Sequence, residues 1–275
     1  MEHIQCPNCA SDRTVEWARE GGFIAVKCTP CGLIYVNPRP SAAEITEANK
    51  VGVHRTQNGK ALNVSARRNA AKIGYYQRVI GELFATEHTA GHPLKWLDVG
   101  AGYGEVVEAI QSALPATDVE GIEPMRPKVE IAQARGVRVS DRSIAQTDSD
   151  YDVISLINVY SHIPDFREFG ELLVSKLKSG GILFLETGNL PDLTSRADFP
   201  DTLYLPDHLV FAAPRQMESI AKSIGLAMET TKAERIDNPL WAVKQTVKSA
   251  LRGKPRIVLP YTSEFRTVFY KLRKP

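Results

Sequence analysis

The chain has 275 residues, 43% hydrophobic and 24% charged, with a formal net charge of +2. That length allows one sizeable α/β domain and a small accessory module, and the composition is that of an ordinary globular protein. No run of eighteen apolar residues occurs, so no membrane span is expected, and the first residues lack the basic region and apolar core of a signal peptide. A cytoplasmic location is the default expectation. The charge is uneven: from Lys232 to Pro275 eleven basic residues stand against three acidic ones, a basic face suited to an anionic substrate or surface, or simply a solvated one.

All four cysteines fall in residues 1–40, as Cys6-x-x-Cys9 and Cys28-x-x-Cys31 with eighteen residues between the pairs. This spacing lies in the window for a zinc ribbon, each pair wrapping one side of a tetrahedral ion at about 2.3 Å. Thr14 to Arg19 and Gly22 to Lys27 read as the ribbon's strands. Two disulfides, or redox use of one pair, are the competing readings; a cytoplasmic chain disfavours the first and the lack of a neighbouring βαβ unit the second. Four sulfur ligands leave no open position, so the zinc is expected to be structural and to supply the folding energy of residues 1–40.

Residues 41–93 read as a linker with helices. Ser41 and Glu44 have capping-box spacing ahead of a short helix. Gly52 to Gly59 is polar and aperiodic, hence a loop. Ala61 to Ala85 is expected to be one long helix, with Ile73, Tyr76 and Ile80 at helical spacing. Thr86 to Pro93 reads as a turn-rich break.

The next stretch organises the rest. Trp96 to Val99 is a short apolar run, expected as a buried strand. Gly100-Ala101-Gly102-Tyr103-Gly104 follows, then a helical pattern with Val106, Val107 and Ile110 on one face. A second strand, Val119 to Ile122, ends on Glu123-Pro124. Bare glycine backbone admits a ligand closely, and an acid at the carboxyl edge of the next parallel strand can accept from ribose hydroxyls, so a nucleoside-containing ligand is expected. The G-x-G-x-G spacing departs from the G-x-G-x-x-G dinucleotide fingerprint, and Asp98 just before the turn suits a cationic ligand better than a pyrophosphate.

Asp98-x-Gly100-x-Gly102-x-Gly104 with Glu123 resembles motif I and the following acidic loop of the class I S-adenosylmethionine (SAM)-dependent methyltransferases, a resemblance extending over residues 61–275. It implies a Rossmann-like fold: a mostly parallel seven-stranded sheet with helices on both faces, the SAM-binding domain spanning residues 94–275. The implied donor ligands are Asp98, Gly100, Ala101, Gly102, Gly104, Glu123, Pro124 and Asn158. Asp141, after a third strand at Val137 to Val139, either holds the adenine amino group or caps the next turn. Tyr75 or Tyr76 either closes over the methionine end of SAM or is plain core. Stripping zinc is expected to leave SAM binding largely intact.

Tyr151 to Ile157 is the fourth strand. It leads to Asn158-Val159-Tyr160-Ser161-His162, which resembles the family's segment after that strand with Ser161 in place of a glutamate. His162 is either catalytic or a structural turn residue. Phe166 to Leu177 reads as a helix, Lys178-Ser179-Gly180-Gly181 as a tight turn and Ile182 to Glu186 as the fifth strand.

Residues 187–215 are expected to line the acceptor pocket. Asp207-His208 through Phe211 to Pro214-Arg215 resembles a segment of zinc-ribbon methyltransferases, among them sugar methyltransferases. That resemblance implies His208 as base with Asp207 holding its tautomer; packing is the alternative role. Pro214 to Ile224 is a helix. Ala227 to Arg235 and Phe265 to Leu272 form the last hairpin, interrupted by an insert at 237–262. Within it, Pro239 to Leu251 is an amphipathic basic helix with Leu240, Val243, Val247 and Leu251 on one stripe, expected chiefly to pack on its own domain, with a lid, a dimer surface or a peripheral anionic-lipid contact as alternatives.

The resemblance makes an enzyme the leading expectation: methyl transfer to oxygen or carbon of a small molecule, a sugar, sugar nucleotide or envelope glycan by analogy. An RNA base methyltransferase and a non-catalytic SAM-binding regulator are the alternatives. Nucleic acid is not favoured, because no aromatic-rich basic platform occurs.

Overall fold

The computed structural model describes residues 1–63, 67–89, 93–199, 201–253 and 255–275. The cysteine module is an antiparallel sheet. β1 (Thr14–Glu20) pairs with β2 (Phe23–Cys28), where the sequence places its two strands, and β2 with β3 (Ile34–Val36). Its apolar face does not close on itself. Val26, Leu33 and Tyr35 are buried in one cluster with Tyr160, Val210 and Met217 of the main domain. A forty-residue module has too little surface to enclose a core, so it borrows one.

α1 (Ala42–Val51) starts as expected: Ser41 Oγ accepts the Glu44 N–H and the Glu44 carboxylate accepts the Ser41 N–H at 2.8 Å. It ends at Gly52, φ +69°. The next segment departs from expectation. β4 (Val53–Arg55) and β5 (Ala61–Asn63) form a hairpin with His54 opposite Leu62, where a loop and the start of a long helix were expected. Helix begins only at α2 (Ala71–Leu83), because the apolar stripe that can pay for helix ordering begins at Ile73 and buries Tyr76, Val79 and Ile80. Residues 64–66, inside the expected helix, lie outside the described residues, as do 90–92 in the expected break. α3 (Ala85–Thr89) occupies the rest of that break.

Then the sheet alternates with helices: β6 (Lys95–Val99), α4 (Glu105–Ala113), β7 (Asp118–Ile122), α5 (Arg126–Gln133), β8 (Val139–Ser140), β9 (Tyr151–Ile157), α6 (Phe166–Lys176) and β10 (Leu177–Gly188). β11 (Val210–Phe211) and α7 (Pro214–Ser223) precede the closing pair β12 (Ala227–Glu234) and β13 (Thr267–Arg273), with α8 (Pro239–Leu251) inserted between them. The seven-stranded order is β12-β13-β10-β9-β6-β7-β8. β10 through β8 run parallel, and β13 lies antiparallel to both neighbours. This is the Rossmann-like fold expected. β9 matches its expected bounds, an apolar run covered by helices on both faces.

Gly104, φ +85°, sits where a Cβ would come within 2.7 Å of Val137, so the turn into α4 requires glycine there. Two further departures concern the cysteine module and the insert. β11 pairs with β3, making the module's sheet four-stranded and joining it to the acceptor segment. And α8 keeps its apolar stripe exposed: Ala242 and Gln245 are its buried residues, not Leu240, Val243, Val247 or Leu251. Helical spacing fixed that these four share a face, but not what the face meets.

Candidate active site

At the carboxyl edge of β6 the chain makes the glycine turn. Gly100 and Ala101 donate their N–H groups to Ile122 O at 2.8 and 3.0 Å, which ties the turn to β7. A Cβ on Gly100 would lie 2.4 Å from Val159, so the turn also packs against the segment after β9. Glu123, buried, accepts from Gly102 N–H at 2.9 Å and Met125 N–H at 3.0 Å. It shapes the turn directly, and each oxygen keeps a lone pair for a ligand hydroxyl. Pro124 and Asp141 stand exposed along the same edge.

Asp98 is fully buried beneath this turn. Its Oδ1 accepts from Ser155 Oγ at 2.5 Å, and Ser155 in turn accepts from Trp96 Nε1 at 2.9 Å. No cation reaches Asp98 among the described residues, and burial pushes its carboxyl up to about 7. A second such carboxylate lies nearby. Glu186 at the end of β10 accepts from Tyr76 Oη at 2.9 Å and Asn158 Nδ2 at 3.0 Å, and burial pushes it too up to about 7. Asn158, at φ +58°, is thereby joined to the donor edge, and Tyr76 is a buried hydrogen-bonding residue rather than a plain core aromatic. Two buried acids with no cation in direct contact among the described residues fit a cationic ligand and would oppose a polyphosphate.

Beyond the donor edge, the turn after β9 and the loop before β11 bring Asp207, His162 and His208 together, their ligand-type atoms within 4.8 Å of one another. The pairing differs from expectation. Asp207 turns its carboxylate to His162 and not to His208: His162 Nδ1 lies 3.0 Å from Asp207 Oδ1 and 3.0 Å from its carbonyl oxygen. A residue that sequence reasoning missed completes the group. His54 of β4, 3% exposed, places Nε2 3.1 Å from the same Oδ1. Nothing in a three-residue polar strand signals this, since the contact forms only on folding.

The electrostatics follow. Burial alone would raise Asp207, but His162 and His54 outweigh it and hold the carboxyl far below its usual range. Burial disfavours charge on His162, yet the Asp207 carboxylate and carbonyl more than offset this and raise it. His208, half-buried with its ring centroid 4.7 Å from that of His162, is pushed down to about 4 by desolvation and by the neighbouring His162 charge. It is therefore neutral near pH 7, while His162 is the more basic imidazole.

The cysteine module reaches this cluster. Glu20 at the end of β1 accepts from the N–H groups of Leu203, Tyr204 and Leu205 at 2.9, 2.7 and 3.3 Å, holding the loop that carries Asp207. Lys27 donates to Pro191 O at 2.8 Å and Gln216 to Cys31 O at 2.8 Å. The four sulfurs lie within 4.8 Å of one another, with Cys6–Cys31 and Cys9–Cys28 at 3.5 Å. That is far beyond a disulfide bond and near the sulfur–sulfur edge, about 3.8 Å, of a tetrahedron with zinc–thiolate bonds.

The chain is 25% identical over 186 residues to a ubiquinone biosynthesis O-methyltransferase of Sinorhizobium medicae (strain WSM419), covering 63% of this chain and 70% of that one. It is 26% identical over 167 residues to the mitochondrial ubiquinone biosynthesis O-methyltransferase of Homo sapiens, covering 52% and 45%. The crystal structure of the [4+2]-cyclase SpnF superposes with a TM-score of 0.50 at 18% identity, over 72% of this chain and 81% of that one, a likeness of fold alone. Residues 66–231 match the family model described as a methyltransferase domain. With more than half its length matched by that model, and with the strand–glycine turn–helix of the donor edge in place, this chain belongs to the class I SAM-dependent methyltransferases.

Proposed function

We propose that this enzyme transfers a methyl group to a hydroxyl of a small molecule, with the His162–Asp207 pair taking the hydroxyl proton. The observation that carries the reading is the position of Asp207: its carboxylate backs His162 Nδ1, which leaves Nε2 as the proton acceptor. When bound, SAM would supply an electrophilic methyl on a sulfonium. Asp98 and Glu186 would balance that cation, Glu123, which holds the glycine turn, would accept from the ribose, and Pro124, Asp141 and Asn158 would complete the same edge. His162 would take the proton that the acceptor hydroxyl gives up as its oxygen receives the methyl, the sulfur keeping the bond pair. His208, kept neutral, donates or accepts one hydrogen bond to the acceptor, a different part from the base that the resemblance implied.

The acceptor class is argued by likeness. The segment from Asp207 to Arg215 resembles that of zinc-ribbon sugar methyltransferases, and a carbohydrate hydroxyl is the acceptor we propose. The curated relatives are named for ubiquinone biosynthesis, so the competing acceptor is a phenolic hydroxyl. Cys6, Cys9, Cys28 and Cys31 are proposed to hold one structural zinc. A matched panel of sugar nucleotides and catechols, read by formation of the demethylated donor, tests the acceptor. Turnover of catechols alone would discard the carbohydrate, and full turnover by the His162→Ala variant would discard the base.

A further inference from the structure

Of the eleven large hydrophobic side chains exposed among the described residues, seven lie between residues 240 and 261. On α8, Leu240 and Leu251 are each 84% exposed, and Val243 and Val247 stand between them at helical spacing. Ile257, Leu259 and Tyr261 continue the apolar surface in the segment that follows. Lone exposed leucines are common; a clustered row of this kind marks a contact surface.

The charge on the same segment is of one sign. Lys244 and Lys248 border the stripe, Arg252 follows the helix and Arg256 lies beyond, while no acidic residue occurs from Asn238 to Ser263. The helix is fixed to the body of the protein. Asn238 accepts the Trp241 N–H at 2.9 Å, Lys248 pairs with Asp201, and Arg256 donates to Ala197 O. A groove of about 340 Å³ lined by Trp241, Ile257, Leu259 and Arg256 opens beside it. The apolar row is thus held outward, with basic side chains along its flank.

Two occupants have to be weighed. A second copy would bury the leucines but bring no acidic residue of the segment to answer Lys244 and Arg256; Lys248 and Arg252 already lie against Asp201. An anionic bilayer offers hydrocarbon to the leucines and negative headgroups to the lysines and arginines at once. We propose that α8 and residues 255–261 dock on an anionic membrane surface, α8 lying in the headgroup plane with Leu240, Val243, Val247 and Leu251 turned to the acyl chains. The Asp201 and Ala197 contacts then hold these two residues of the acceptor side against the bilayer.

Flotation of the zinc-replete full chain with vesicles tests this. Vesicles rich in phosphatidylglycerol should carry the protein up, pure phosphatidylcholine vesicles should not, and high salt should release it. Leu240→Asp with Leu251→Asp should weaken binding by about a hundredfold or more. Lys244→Gln with Arg252→Gln should weaken it by about 25-fold, from about 1 kcal/mol per basic residue at such a surface. Unchanged heat of SAM binding shows that both variants are folded. No flotation of the wild type, or unchanged flotation of the leucine variant, overturns the proposal. So does a wild-type dimer without vesicles that the leucine variant dissociates, since the face would then be an interface between copies.

Discussion

Asp98 and Asp207 are the same side chain at nearly the same depth, and the protein treats them oppositely. Asp98 has a serine hydroxyl and no cation, and burial lifts it to about 7. Asp207 has two imidazoles, and is driven far below the usual range against the same burial. Burial therefore does not decide a carboxylate's charge; the neighbours do. One acid is left short of a counter-ion that a ligand can bring. The other is already committed to the protein, where it backs His162.

The contrast breaks most sharply at His162. His162→Ala should lower turnover by about 10²–10⁴-fold while the heat of SAM binding stays as in wild type, checked by calorimetry beside steady-state rates. Stripping the cysteine module of metal should come next. The module holds the loop of Asp207 through Glu20, so chelation should cost about a hundredfold in turnover and much less in SAM affinity, with amide exchange rising over residues 1–40. Equal loss of both would mean that the module supports the whole domain rather than one end of it.

Asp98→Asn probes the other side of the comparison. If Asp98 faces the donor as proposed, removing its charge should weaken SAM by about tenfold to a hundredfold, without moving a pH profile set by His162. The smallest effect is a pH slope. Asp98 and Glu186, with ordinary values of 3.8 and 4.5, both reach about 7 in the folded chain. The folded state thus holds protons that the unfolded chain has already released. Their contribution to stability is full below pH 4 and is lost as pH rises through 7. A cationic ligand selects the ionised form, so SAM affinity should run the other way, rising by up to tenfold per unit for each of the two carboxylates across that window, with proton release on binding. Titrations in two buffers of different ionisation heat would read it, and a flat affinity from pH 6 to 8 would remove both carboxylates from the donor's surroundings.

What could be read from sequence divides along the same line. The donor edge was legible because its residues are neighbours in the chain: Asp98, the glycines and Glu123 sit in one strand–turn–helix–strand unit whose spacing carries the chemistry. So were the cysteine pairs and the cap at Ser41 and Glu44. Glu186 was legible as the end of the fifth strand at the ligand-binding edge, but its bonds to Tyr76 and Asn158, and that of Ser155 to Asp98, were not, since they join different strands and a helix. The acceptor cluster was half legible. Asp207, His162 and His208 were visible as candidates, but their pairing depends on His54, carried by a hairpin too short and too polar to show a period. α8 teaches a related limit: its stripe was plain in sequence, and its exposure became visible only once the insert was seen to fold away from the sheet.

The pairing of β11 with β3 carries a practical corollary. The cysteine module and the segment after the Asp207 loop share one ladder, so the module is no detachable appendage. Transplanting it between homologues should carry substrate preference along, and a chain trimmed at Ser41 would bare a sticky strand edge beside its own reaction centre.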